Sequence, residues 1–163
     1  MNKVIPLALL IAATSASAAG LNATDTGFLA KAVRGNNFEV EAAKIALQMS
    51  RSETNRAFAR QMIADHAKLG AQVKAAVAQA DPRMKLPMTV TYKQWDMLKS
   101  LKTSGRGFDR MYRMQMINSH RETYNLFNQY SQSRYANAGL RRVVSAAKPV
   151  VHMHWNHAFN LAQ

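Results

Sequence analysis

Apolar positions recur at steps of three and four residues in four long stretches of the chain. The first runs through Phe28, Ala32, Gly35, Glu39, Ala42, Ala46 and Met49, and the second through Ala59, Met62, His66, Leu69, Val73, Ala76 and Ala80. The third contains Tyr112, Met116, His120, Thr123, Phe127 and Tyr130, and the fourth Leu140, Val144, Ala147, Val151, His154, Ala158 and Leu161. Steps of this size keep side chains on one stripe, which predicts four amphipathic helices, each with a buried seam. Thr24 and Ser52 are the expected N-caps of the first two, separated by a tight turn near Arg51–Ser52. Asp81-Pro82 ends the second. Ser104 to Gly107 loosens the chain before the third, and Tyr135 to Gly139 parts third from fourth. Pro149 falls inside the fourth pattern, where it removes a backbone bond and predicts a kink.

The connections are short, long and short, the long one spanning about Asp81 to Gly105 with a short helix near Tyr92–Leu101. Short links make each flanking pair antiparallel, and a long one can traverse the length of the molecule. The expected fold is all-α, a ferritin-like four-helix bundle with one long crossover between the second and third helices. An up-down bundle with a decorated middle loop is the alternative.

Four polar residues interrupt the stripes, one per helix: Glu39, His66, His120 and His154. A buried ionisable group is costly unless paired or metal-bound, so four of them ask for a shared explanation. Counted from a turn at residue 52, Glu39 and His66 both lie ~20 Å along their helices. Counted from a turn at residue 137, His120 and His154 both lie ~25 Å away. Each antiparallel pair is level, and the crossover sets the offset between pairs. Imidazole and carboxylate donors suit iron, zinc or manganese, and bundle cores are common places for such sites. Asp65, beside His66, is either a further ligand or an acceptor that orients an imidazole. A hydrogen-bonded polar layer is the competing reading of the same residues. The Glu-x-x-His pairs of di-iron oxidases are missing, since Ile63 and Val151 stand three residues before His66 and His154. Asp109 lies ~16 Å along the helix from His120 and belongs instead at the positive start of its helix, or beside a buried partner such as an arginine. Met111, Met114 and Met116 do not share a helical face, so they read as packing rather than as a copper site.

The first residues, MNKVIPLALLIAATSASAAG, carry a different pattern. Lys3 precedes an apolar run from Val4 to Ala13, and Ala16-Ser17-Ala18 offers small residues for cleavage. Ten apolar residues are too few to cross a bilayer, which takes ~20 in a helix. Residues 1–18 are therefore expected to be a signal peptide, and residues 19–163 a soluble domain of the periplasm or the secreted fraction. The 163 residues hold no cysteine, which excludes disulfides, thiolate metal sites and cysteine nucleophiles. Lys and Arg number 22 against nine Asp and Glu, a formal +13, or +12 after the leader is removed. An exported protein of this charge has lipid head groups or envelope polysaccharide as its natural polyanions, not nucleic acid. Solubility alone is the plainer account of the same charge. No phosphate loop, nucleophile elbow or HExxH run is present.

The residues also carry a family likeness over about Asp25 to Leu161. Its elements are Asp25-x-x-Phe28, Phe38-Glu39-Val40-Glu41, Phe58-Ala59-x-x-Met62-x-x-Asp65-His66, Phe108-Asp109-x-x-Tyr112 followed by His120, and Pro149-x-x-x-x-His154-x-x-x-Ala158. In order and spacing these motifs resemble the secreted ferritin-like proteins grouped as domain of unknown function 4142. The resemblance implies a four-helix bundle outside the cytoplasm and no established reaction. The expectation is thus an exported bundle, not an enzyme, with Glu39, His66, His120, His154 and Asp65 around a transition-metal ion. A basic envelope-binding or structural module without metal is the alternative.

Overall fold

The computed structural model describes residues 20–163; the leader expected over residues 1–18 lies outside the described residues. Helix α1 (Ala23–Met49) starts earlier than the sequence pattern suggested. Asn22, not Thr24, is its N-cap. The Asn22 side chain accepts the Thr24 and Asp25 backbone N–H groups at 2.7 and 3.2 Å, and Asp25 Oδ2 accepts the Asn22 N–H at 3.0 Å. This reciprocal pair satisfies three donors at once, more than a threonine two residues later can do. Ser52 caps α2 (Glu53–Ala80) as expected, accepting the Asn55 N–H, and the helix stops before Asp81-Pro82.

The crossover carries α3 (Tyr92–Thr103), opened by a second capping box between Thr91 and Gln94. A single 3₁₀ turn, Gly105–Gly107, then feeds α4 (Phe108–Gln132). Gly105 has φ +54°, a left-handed conformation that glycine adopts without steric cost. Asn137 caps α5 (Ala138–Ala158), which contains Pro149. The helix ends three residues short of Leu161, whose side chain is nevertheless buried in the core.

Hydrogen bonds between distant residues fix the direction of each helix. At one end of the bundle, Asp25 at the start of α1 accepts the Tyr130 hydroxyl from the end of α4 and the Asn137 N–H from the start of α5. At the other end, Asp109 at the start of α4 accepts from Ser50 and Asn55 in the α1–α2 turn. Asn55 also accepts the Ala162 N–H just beyond α5. So α1 and α5 run one way while α2 and α4 run the other. Because α1 packs against α2 and α4, and α5 against the same two, α2 and α4 are parallel and diagonal. Only a chain segment traversing the molecule can join them, which is the role of residues 81–107. The crossover reading of the sequence holds, and the up-down alternative does not.

Two apolar clusters fill the interior. One, toward the α1–α2 turn, includes Phe38, Ala42, Phe58, Met62, Tyr112 and Met116. The other, toward the opposite end, includes Phe28, Leu29, Phe127, Tyr130, Leu140 and Val144. Phe28 stacks on Tyr130 with ring centroids 3.9 Å apart, under the Asp25 clasp. A polar layer lies between the two.

Candidate metal centre

That layer consists of the four residues that broke the helical stripes. Glu39, His66, His120 and His154 are 1, 4, 0 and 1% exposed, each contributed by a different helix of the bundle. The ring centroids of the three histidines are 5.5 to 6.1 Å apart. One ring nitrogen from each lies within 4.8 Å of the other two. Phe58 is tilted against His120 at 6.4 Å and edge-on to His154 at 6.1 Å, and closes the layer on the turn side. The two antiparallel pairs, each level by residue count, therefore meet at one depth.

Each imidazole has one nitrogen committed elsewhere. His120 Nδ1 donates to the Met116 carbonyl at 2.8 Å, four residues back on α4. A carbonyl only accepts, so Nδ1 carries a proton and Nε2 is the nitrogen left to face the interior. His154 Nε2 donates to Asp65 Oδ2 at 2.9 Å, which places its lone pair on Nδ1. His66 Nδ1 donates to Asn36 Oδ1 at 3.0 Å, turning Nε2 toward Glu39 Oε2 at 3.5 Å. His120 Nε2 and His154 Nδ1 are buried and have no hydrogen-bond partner. Two unpaired acceptors at one place in a low-dielectric interior cost about 1–3 kcal/mol each. A cation among them would satisfy both.

Glu39 supplies the negative charge. Its Oε1 accepts the Ser119 hydroxyl at 2.6 Å and lies 3.8 Å from His120 Nδ1. Burial pushes its carboxyl up, but His120, His66 and the Ser119 bond outweigh burial and leave it below its ordinary value. Burial holds His66 down to about 4, against a partial opposing pull from Glu39. His154 is lowered as well, by burial first, with the Asp65 bond opposing. At neutral pH the layer thus holds an ionised carboxylate, with His66 and His154 neutral as metal ligation requires of them. Three imidazole nitrogens and a carboxylate suit iron, zinc or manganese at ~2.0–2.2 Å, so the nitrogens would draw together from their present spacing.

Asp65 stands outside the trio. It is 34% exposed and bonds the far nitrogen of His154, so of its two sequence readings the orienting one matches its position. Asp109 is at the start of α4, and its partners are Ser50 and Asn55 rather than an arginine. Met116 lies in the core with Met111 packed against the same cluster, while Met114 is exposed, so the three do not share one face. The stripe pattern did not reveal Asn36 and Ser119. Asn36 lies one turn before Glu39, and Ser119 adjoins His120, which were the available signals. Tyr112 is fully buried with no partner for its hydroxyl, and burial followed by the Glu39 charge raises its pKa.

No helix among the described residues is long and apolar enough to cross a membrane. Neither the curated proteins nor the solved structures contain a match to this chain. A family model described as a domain of unknown function (DUF4142) matches residues 11–161, nearly the whole sequence including every residue of the polar layer, and the chain belongs to that family.

Proposed function

We propose that this protein holds one transition-metal ion in the polar layer of its bundle, with His66, His120 and His154 as nitrogen ligands and Glu39 as the carboxylate. The observation that carries the reading is the pair of buried, unpartnered imidazole nitrogens, His120 Nε2 and His154 Nδ1, in a trio whose other nitrogens are hydrogen-bonded. A purely structural polar layer would be expected to use those acceptors, since buried polar groups are nearly always paired. Charge supports the same conclusion: a divalent ion offsets Glu39, and Asp65 balances the remainder through His154. The N–H bonds to Asn36, Met116 and Asp65 hold each ring in the required tautomer, a recurrent arrangement behind metal-bound histidine. Iron, zinc and manganese all fit this donor set, and the thioether ligands that favour Cu(I) are absent from it.

The role is metal holding rather than a defined catalytic turnover. Its setting is the periplasm or the secreted fraction, on the strength of the Lys3–Ala18 leader pattern. His66 borders an open groove between α1, α2 and the crossover, which offers an ion a route inward.

The test is metal analysis of untagged protein purified from a periplasm and then loaded separately with Fe(II), Zn(II) and Mn(II). One ion per chain is expected, lost in His66→Ala and in His154→Ala while helical circular dichroism is retained. Absence of stoichiometric metal under every loading overturns the proposal.

A further inference from the structure

The groove beside α3 is much larger than ion entry requires. It has a volume of about 1130 Å³, against the ~300–1,000 Å³ of ordinary small-molecule sites. Along α1 it extends from Phe28 to Ile45, a rise of ~26 Å. Its origin is in the sequence of the crossover. Leu101 is the buried residue of α3 and anchors the helix near the α1–α2 turn, whereas Trp95 and Tyr92 are 50 and 80% exposed. Val90, Leu98 and Leu86 also touch the core, so the crossover bridges the α1–α2 face at intervals and leaves an open slot beneath it. Val40, Ile63, Leu86 and Leu98 line the gap, and Phe127 and Val144 form its deep end. Its polar members are largely satisfied internally, Asn36 by His66 and Asn37 by the Pro87 carbonyl.

Charge is distributed unevenly along this groove. Lys44, Lys99 and Lys102 lie at the end nearer the α1–α2 turn, and Lys74 at the other. The acidic lining residue, Glu41, is already bonded to Lys44 at 2.7 Å. Lys99 lies over the Trp95 ring at 5.4 Å, and among the described residues neither it nor Lys102 has a carboxylate partner. A long apolar slot with unpaired cations at one mouth is complementary to one kind of molecule.

We infer that the groove binds a free, single-chain anionic amphiphile, a long-chain fatty acid, with its carboxylate at Lys99 and Lys102 and its tail directed toward Phe127. The slot is longer than the ~15 Å of hydrocarbon in one bilayer leaflet, so a full acyl chain fits within it. His66 borders both this site and the metal centre, and none of the contacts proposed for the fatty acid is a metal ligand.

The experiment titrates delipidated full-chain protein with a fluorescent fatty acid and competes it with octanoate, dodecanoate, palmitate and hexadecanol. One palmitate per chain is expected, with affinity rising up to about fourfold per added methylene. Hexadecanol should compete about tenfold less well than palmitate, and the Lys99→Glu/Lys102→Glu double variant should erase that difference. A methyl group on Gly70 would meet Asn36 Nδ2 at 3.8 Å, ordinary contact, so the position accepts a side chain without backbone conflict. Gly70→Phe projects a ring into the slot, and should weaken palmitate at least tenfold while helicity is unchanged. The same titration in chelator and in metal-loaded protein should agree, which separates this inference from the metal reading. Absence of saturable palmitate binding, equal competition by hexadecanol, or retention on anionic vesicles without binding of monomeric fatty acid would each overturn it.

Discussion

His154 Nε2 donates to Asp65 Oδ2 at 2.9 Å, and this bond across the α2–α5 interface leaves His154 Nδ1 as a lone-pair nitrogen facing the interior. The carboxylate is at the protein boundary and the imidazole is at its centre. Orientation of the ring thus depends on a residue that lies outside the buried trio.

Removal of the Asp65 carboxylate should consequently weaken metal binding without abolishing it. Loss of an orienting acceptor typically costs 10–100-fold in affinity, and Asp65→Ala is expected to fall in that range. Competition with a chelator of known affinity measures it. A loss as complete as that in His154→Ala would make Asp65 a ligand instead.

The metal-free protein should lose stability in mild acid. Burial depresses His66 from 6.5 to about 4, so between those values the unfolded chain binds a proton that the folded chain excludes. This contribution is fully present above pH 6.5 and is lost as pH falls toward 4, an effect on the order of 3 kcal/mol. Glu39, whose pKa is also lowered, acts in the same direction below its ordinary 4.5. Urea midpoints of chelator-treated protein across this range provide the measurement, and a flat profile would contradict it.

The two carboxylate clasps should matter for stability and not for metal. Asp25 is fully buried and accepts from Asn22, Tyr130 and Asn137 at 3.0, 2.6 and 2.8 Å. Asp25→Ala removes the shared acceptor of three hydrogen bonds and is expected to cost about 3 kcal/mol, a melting shift of roughly 6–12 °C for a chain of this size. Asp109→Ala strands the buried Asn55 amide and should cost about 2 kcal/mol. Glu41→Ala, on the surface, should change the melting temperature by less than about 2 °C. Thermal melts with metal analysis on the same samples test all three.

Two glycines should respond in opposite directions to the same substitution. Gly105 sits at φ +54°, so Gly105→Ala is expected to destabilise by about 1 kcal/mol. Gly27 is inside α1 with open space where a Cβ would be, so Gly27→Ala should stabilise by up to about 1 kcal/mol. Denaturant titration of both variants resolves the sign.

Much of the molecule is legible along the chain because helix periodicity and capping are local. The four stripes, the Ser52 cap, the stop at Asp81-Pro82 and the helix over Tyr92–Leu101 each depend on residues within a turn or two of one another. Even the levels of Glu39 with His66 and of His120 with His154 follow from counting out of short turns. The N-cap at Asn22 was missed because Thr24 is a good capping type in isolation, and only the return bond from Asp25 distinguishes them. Asn36 and Ser119 escaped the stripe pattern because polar residues beside a buried seam look like any half-exposed position.

By itself the sequence determined four amphipathic helices, a crossover and one ionisable residue out of place in each seam, since those properties are written in spacing and side-chain type. Only the tertiary structure decided that the two helical pairs share a level, which imidazole nitrogens face inward, and that the crossover leaves a groove uncovered. Those outcomes depend on contacts between residues dozens of positions apart, such as Asp65 with His154 and Glu39 with Ser119. No local pattern encodes the offset between packed helices, because it is set jointly by every side chain in the core.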